Sequence, residues 1–441
     1  MSTIVSEKIA PPAQATLATV EAANFFHLYW DVAWFGVVFG STLSFLSVFA
    51  ARLGAAGWQI GLLSAGPALV NVLVTLPAGR WLAARPLGRA VVQTAFWQRL
   101  GFFLIAPLPL LLPASLQVWA VLVLILLMAI PGAALAIGFN ALLATTVPPE
   151  ARGKVVGWRN SLLAATVMVV FVLSGWILDQ VAFAWGYAMV FGLGALGASM
   201  STYHLSRIQV PAVPDFQIRA INDQAQPGRG VRLAGGSTSQ RLGIGLRLWL
   251  RERPGLASLS SSISSQYRWV MLAFFLFHFT QLLPAALFPL FWVREARLTD
   301  GEIGWVNGVF YLAMLIASPF LGPFSRRLGN YRLTVGGAIL LALYPLLVAS
   351  SYGLPLLLVA SVFGGINWAI LSGSLGNRLL EVIPEDKRPA HLALYNLALN
   401  VATLSGIMLG PFLANLIGLR ETLVIIVGLR VISGLALARW G

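Results

Sequence analysis

The chain has 441 residues, of which 58% are hydrophobic and only 10% charged, with a mean hydropathy of +0.82. A soluble domain carries about 25% charged residues, so this balance excludes a water-soluble globular protein. The formal net charge of +14 raises a nucleic-acid partner, which the distribution of the bases argues against, and the absence of cysteine excludes disulfides and thiolate metal sites.

Residues 1–24 read as a short N-terminal tail. Lys8 is its only base, Pro11, Pro12 and Glu21 follow, and the next apolar run is too long for the core of a cleavable signal, so none is expected. Apolar runs separated by short polar or Gly/Pro breaks then predict helices at 25–50, 60–83, 90–112, 117–146, 155–181 and 183–205. After a polar stretch at 206–266, further runs predict helices at 268–293, 303–323, 333–350, 355–380, 391–417 and 421–439. Each is long enough to approach or exceed the ~20 residues that cross a bilayer as a helix. None alternates with period two, which disfavours a membrane barrel. The expected fold is an all-α membrane protein of twelve transmembrane helices.

The arginines follow the positive-inside rule if both termini are cytoplasmic. On that reading Arg80, Arg85, Arg89, Arg152, Lys154, Arg326, Arg327, Arg332, Arg378, Lys387 and Arg388 share one side with the arginines of 206–266. The other side has Arg52, Arg294, Arg297 and Arg420. The basic character is therefore read as topogenic. The segment 206–266 is a basic cytoplasmic linker, rich in Gly, Ser, Pro and Gln; within it "RLGIGLRLWLRER" (241–253) fits either an amphipathic helix on anionic headgroups or a solvated tether.

The two sets of six helices, 25–205 and 267–441, resemble each other at a nearly fixed offset. "IGLLSAGPALVNVLVTLPAGR" (60–80) lies over "IGWVNGVFYLAMLIASPFLGP" (303–323), pairing Ile60 with Ile303, Gly61 with Gly304 and Gly79 with Gly322. "VPPEARGKVVGWRNSLL" (147–163) lies over "VIPEDKRPAHLALYNLA" (382–398), pairing Pro149 with Pro384, Glu150 with Glu385 and, after a one-residue slip, Asn160 with Asn396. Parallel six-helix repeats joined by a linker suit two bundles that rock about a shared cavity.

At these residues the chain resembles the major facilitator superfamily over nearly its whole length. The family's loop between helices 2 and 3 reads GxLxDRxGR; its counterparts here, "GRWLAARPLGR" (79–89) and "GPFSRRLGN" (322–330), keep glycines and bases but not the acid, whose place in the second copy is taken by Arg326. "PPEARGK" (148–154) is similar to the family's PExRG loop. The resemblance implies conformational roles for Gly79, Arg85, Gly88, Arg89, Arg152, Gly153, Gly322, Arg326, Arg327 and Gly329. Plain topology explains the bases equally well, and Arg85, Arg89, Arg152 and Arg327 are also placed to bridge helix C-termini. The glycines suit close helix contact or a turn.

Asp31, in "HLYWDVAWFG" (27–36), is a carboxylate at membrane depth, where charge costs about 2.5–3.5 kcal/mol on insertion scales and usually faces a cavity or a partner. Asn24, His27, Asp31 and Trp34 recur at spacings of three and four, on one helical face. His27 is within reach of Asp31 for hydrogen bonding or proton sharing. Asp31 with His27 is the proton-coupling candidate; the competing reading is a structural ion pair of Asp31 with Arg99 or Arg159, or a snorkelling acid near the cytoplasmic mouth. The resemblance implies that helices 1, 4, 7 and 10 line the cavity. It thereby makes Asn24, Trp34, Asn140, His278, Gln281, Asn367 and Trp368 candidates for solute contact, beside breaks at Pro131–Gly132, Pro284 and Gly364–Gly365. An interhelical hydrogen bond is the alternative for each amide. Asn160, Tyr395, Asn396 and Asn400 are implied nearer the contact between halves. Arg99 and Arg430, on peripheral helices in the family, read as structural, and Trp58, Trp119, Trp292 and Trp440 as an interfacial belt.

No metal-ligand cluster, GxSxG or phosphate-cradling GxxxxGK[ST] is present, so no enzyme, cofactor or metal site is expected. The resemblance implies a monomeric secondary transporter of the cytoplasmic membrane, with both termini cytoplasmic. It would move a small organic solute by alternating access with proton coupling. The alternatives are an assembly or pigment-delivery factor of the same fold, and a multidrug or lipid exporter. The GxxxGPxxG signature that drug exporters of the family carry on helix 5 is met here by "GIMLGPFLA" (406–414) on helix 11, while helix 5 reads "LSGWILDQ" (173–180).

Overall fold

In hydrocarbon every backbone N–H and C=O must be satisfied within its own segment, so the long apolar runs become helices. The computed structural model describes residues 12–210, 265–383 and 388–441. Twelve crossings follow in order. They are α1 (Pro12–Val38, continued through Phe39–Leu43 and Ser44–Arg52), α2 (Gly57–Ala83), α3 (Leu87–Ile105), α4 (Ala114–Thr146), α5 (Pro149–Gln180) and α6 (Phe183–Ser206). After the linker come α7 (Ser265–Leu282, then Leu287–Leu290 and Phe291–Glu295), α8 (Asp300–Ala317), α9 (Leu321–Leu340, then Leu343–Ala349), α10 (Leu354–Val382), α11 (Arg388–Ile417) and α12 (Leu419–Trp440). The expected tail at 1–24 is partly helical: the Ala-rich stretch after Pro12 extends α1 back from residue 25. The piece 241–253, with most of the linker, lies outside the described residues.

Eleven apolar helical runs are long enough to cross a membrane among the described residues; one of them, Asp300–Ala349, has 50 residues. A straight helix of that length would measure about 75 Å, against roughly 30 Å of hydrocarbon, so it must reverse. It does so at Gly329, whose φ of 77° and ψ of 154° leave the helical region and suit a residue without Cβ. The chain is thus an integral membrane protein of twelve helices.

Packing repeats the internal symmetry of the sequence. In the first bundle α1 packs on α5 and α6, α3 on α4 and α6, and α2 on α4; in the second α7 packs on α11 and α12, α9 on α10 and α12, and α8 on α10. The bundles meet along α5 with α8 and α2 with α11, again a symmetric pair. The correspondence extends to residues. A Cβ on Gly304 would meet the Phe171 carbonyl at 2.6 Å and Gly175 Cα at 3.2 Å, while one on Gly61 would meet the Ile407 carbonyl at 3.3 Å and Pro411 at 3.7 Å. The offset that pairs Asn160 with Asn396 also pairs Phe171 with Ile407 and Gly175 with Pro411.

A candidate solute cavity between the bundles

Two of the crossings that face each other across the bundle contact carry a wide, π-type turn: Phe39–Leu43 in α1 and Phe291–Glu295 in α7. Such turns insert a residue into the helix and recur at functional sites. In α1 the turn is stabilised by Ser44, whose hydroxyl donates to the Phe39 carbonyl at 2.7 Å. In α7 it follows Pro284, which has no N–H to donate to Thr280. Between the two turns, α5 and α8 lies a cavity of about 280 Å³. Its wall is aromatic, with Phe39, Phe45, Phe171, Phe288, Trp292 and Tyr311, and its polar groups come from Ser44, Ser47 and Asn307. Among the described residues no charged side chain lines it. Asn307 spends one amide hydrogen on the Ile303 carbonyl at 2.9 Å. Trp292 is 7% exposed, and among the described residues its Nε1 has no hydrogen-bond partner. An unsatisfied buried donor of this kind costs about 1–3 kcal/mol, so Nε1, on a residue that lines the cavity, favours a rearrangement that brings it an acceptor. Trp292 therefore belongs to the cavity and not to an interfacial belt. Trp58, Trp119 and Trp440 are 43%, 49% and 38% exposed.

The bundles are tied together beyond this cavity, at the face opposite the linker. Arg52, at the end of α1, bonds Asp300 Oδ1 through Nη2 at 3.1 Å and Nε at 3.2 Å, and also donates to the Leu298 carbonyl. Arg294 donates to the Ala55 carbonyl at 2.6 Å. Thr299 caps α8 with Glu302 in a reciprocal capping box. Asp179, from the end of α5 in the other bundle, completes that cap: its Oδ2 accepts from the Thr299 hydroxyl at 2.8 Å and its Oδ1 from the Gly301 N–H at 2.9 Å. A carboxylate beside the positive end of a helix is favoured electrostatically. One bundle thus supplies the cap of a helix in the other.

Asp31 lies away from this cavity, inside the first bundle, and is 4% exposed. Its Oδ1 accepts from the Ser201 hydroxyl at 2.5 Å and lies 3.7 Å from Arg99 Nη2; its Oδ2 lies 3.4 Å from Arg159 Nη2. Arg159 also donates to the Leu28 carbonyl at 2.6 Å and sits 4.6 Å over the Phe139 ring, and Arg99 donates to Thr202 at 3.0 Å. Four helices, α1, α3, α5 and α6, converge on one carboxylate. This is the ion-pair arrangement, with both arginines rather than one. His27 does not reach Asp31: its Nδ1 lies 3.0 Å from Nδ1 of His204, across α1 and α6.

The remaining solute candidates are dispersed. Asn24 exchanges two bonds of 2.9 Å with the backbone of Gln209 and ties the middle of α1 to the chain leaving α6. Asn367 donates to the Gly337 carbonyl at 3.0 Å, and His278 bonds Tyr395 at 2.7 Å. All three are ties within bundles, those of Asn367 and His278 between helices. Trp34, Asn140, Gln281 and Trp368 are half-buried, Trp368 against the core of the second bundle. Arg430 is buried with its guanidinium on the carbonyls of Leu341 at 2.8 Å, Gln281 at 3.1 Å and Thr280 at 3.4 Å. Pro284 and Pro345 each lack the N–H that a helix would give to Thr280 and Leu341, so Arg430 serves backbone released by two kinks. Asn396 lies where side chains are outside the described residues, as do Pro384 and Glu385.

A proline explains Arg152 as well. Pro148 leaves the Ala144 carbonyl without a donor, and Arg152 supplies one at 2.7 Å, with a second bond to Val147 at 3.0 Å. Arg85 donates to the Trp81 carbonyl at 3.1 Å and lies 4.2 Å over its ring. Gly79 is buried, Gly88 meets Val210, Gly153 has open space around it, and Gly322, Arg89, Arg326 and Arg327 are exposed. Beside Gly329, Asn330 donates to Glu381 of α10 at 2.6 Å and accepts from Ser325 at 2.6 Å. Glu381 thus brings from α10 an acid that the 322–330 loop itself lacks. Sequence reasoning missed Ser44, Ser47, Asn307 and the closure residues Asp179 and Asp300. The hydroxyls and amide carry no motif, whereas two acids opposite Arg52 and Arg294 were a readable charge match.

Residues 270–441 match the family model described as Major Facilitator Superfamily. The quinolone resistance protein NorA of Staphylococcus aureus (strain MRSA252) is 23% identical over 120 residues, which span 27% of this chain and 30% of that protein. The match therefore covers less than a third of the curated relatives' length. Among solved structures, a bacterial homologue of the iron transporter ferroportin in an inward-facing state has a TM-score of 0.65 at 15% identity, covering 96% of this chain and 98% of that one. The proton:xylose symporter XylE, bound to 6-bromo-6-deoxy-D-glucose, gives 0.60 at 14% identity, covering 95% and 96%. At such identities the likeness shows the fold. Residues 270–441 are thus similar in sequence to the major facilitator superfamily, and nearly the whole chain shares the fold of these transporter structures.

Proposed function

We propose that this protein is a secondary active transporter that moves a small, flat organic solute across the cytoplasmic membrane by alternating access. The observation that carries this reading is the aromatic cavity between the two bundles, sealed at one face by Arg52–Asp300 and by Asp179 on the α8 cap. With both termini cytoplasmic, as the arginine distribution favours, the sealed face is the external one. The two units that rock are residues 25–205 and 267–441, joined by 206–266, and a monomer suffices. A wall of aromatic rings with hydroxyls, one amide and a free indole N–H suits a neutral or weakly charged aromatic with a hydrogen-bond acceptor. The partial likeness to a quinolone resistance protein supports an aromatic solute.

Proton coupling is assigned to Asp31. In the state described its charge is held by Arg99 and Arg159, and Arg159 belongs to α5, the helix that also forms the bundle contact at Phe171–Asp179. A proton on Asp31 would release Arg159 and so loosen α5 from α1. Asp31→Asn is the variant expected to uncouple flux from the pH gradient. The test is thermal stabilisation of the purified protein by a panel of neutral, cationic and anionic aromatics, followed by solute flux in proteoliposomes under an imposed pH gradient. Stabilisation by one chemical class, lost in Trp292→Phe, with flux that follows the gradient, is the expected result. Silence across the panel, together with stable copurification of a membrane complex, would replace this reading with the assembly-factor one.

A further inference from the structure

On its outer flank, away from the bundle contact, the first bundle has a larger cavity of about 780 Å³ between α2, α3 and α4. Pro77 in α2 and Pro131 in α4 interrupt the helices that frame it. Its lining is apolar from Leu104 and Leu124 at the deep end to Trp97 and Ile130, and it ends at Trp81 and Gln93 near the linker face. From Gln93 to Leu104 along α3 is about 16 Å, close to half the ~30 Å hydrocarbon, so the groove is the depth of one leaflet.

The polar end of this groove is basic. The Arg85 guanidinium lies 4.2 Å over the ring of Trp81, a groove residue. Arg89 is exposed one helical turn before Gln93, and Arg80 is exposed beside Trp81. Among the described residues no ion pair engages Arg80, Arg85 or Arg89, and the stretch 79–89 contains no Asp or Glu. We propose that the groove is a binding site for one anionic phospholipid of the linker-face leaflet. An acyl chain would lie along Trp97, Leu100 and Ile130, with the phosphate between Arg85 and Arg89. Planar guanidinium donors suit phosphate oxygens, and the anionic leaflet attracts juxtamembrane bases. This site is independent of the transport reading.

The experiment is native mass spectrometry of the purified full chain, with phosphatidylglycerol and phosphatidylcholine of the same acyl chains offered in equal amounts. Wild type should retain one phosphatidylglycerol, and R85Q/R89Q should lose that preference by roughly thirtyfold, the change expected for two surface arginines. The pair R326Q/R327Q, in the equivalent loop of the second bundle, should keep it. Brominated phosphatidylglycerol should quench wild-type fluorescence more than Trp97→Phe fluorescence, a readout that holds if the double variant does not fold. Equal retention of the two lipids, equal loss in both double variants, bromine quenching unchanged in Trp97→Phe, or a dimer covering the groove would each overturn the proposal.

Discussion

Asp31→Asn tests the electrostatic core of the first bundle. Asp31, Arg99 and Arg159 expose 5%, 6% and 11% of their side chains, and two guanidiniums share one carboxylate. The asparagine amide still accepts from Ser201, so what is lost is the counter-charge of two buried cations. Breaking a buried pair in this way costs about 3–5 kcal/mol. Arg99→Met is a different perturbation. It leaves a one-to-one pair of Asp31 with Arg159, removes a contact of 3.7 Å, and deletes a guanidinium whose Nε has no partner among the described residues. Its expected cost, chiefly the bond to Thr202, is about 1 kcal/mol. The double variant Asp31→Asn/Arg99→Met should then be more stable than Asp31→Asn alone by about 1–3 kcal/mol, because one of the stranded charges is gone. Thermal unfolding of the purified variants, in one detergent at one pH, ranks them. An Asp31→Asn protein as stable as wild type, or a double variant as unstable as the sum of the singles, would refute the reasoning.

Removing the shared cap with Asp179→Ala should weaken the sealed face by about 1 kcal/mol, in line with other helix caps, and is read as faster labelling of a cysteine placed in the cavity at Ser47. Gly304→Ala should be the more severe of two matched changes, because its Cβ would meet the Phe171 carbonyl at 2.6 Å whereas that of Gly61→Ala meets Ile407 at 3.3 Å. Unfolding midpoints and the same cysteine accessibility compare them, and equal effects would contradict the contact geometry. Trp292→Phe keeps the ring and removes the unpartnered N–H, so stability should stay within about 0.5 kcal/mol of wild type while stabilisation by a cavity solute falls.

What was legible in the sequence is what local periodicity and internal repetition encode. The apolar runs place the twelve crossings, and the pairing of Gly61 with Gly304 points at two contacts that the structure makes symmetric. Partners distant in sequence have no such signature. The helical spacing of His27 and Asp31 is correct, yet His27 meets His204, 177 positions away, and Asp31 meets three residues of other helices. Polar residues beside Pro and Gly breaks drew Asn367 and His278 into the cavity list, and both turn instead to neighbours within their bundle. The cavity is shaped by two π-type turns, which arise from packing and have no composition cue. Ser44 and Asn307, read alone, are ordinary helix residues.

The absence of cysteine makes a direct test of alternating access clean. Spin labels at Gln180 and Trp305 report the separation of α5 and α8 at the sealed face, and labels at Lys154 and Arg327 report the linker face. Electron–electron distance measurements across pH and with a stabilising solute should show the two separations changing in opposite senses. Two fixed distances under every condition, or two that lengthen together, would contradict the account.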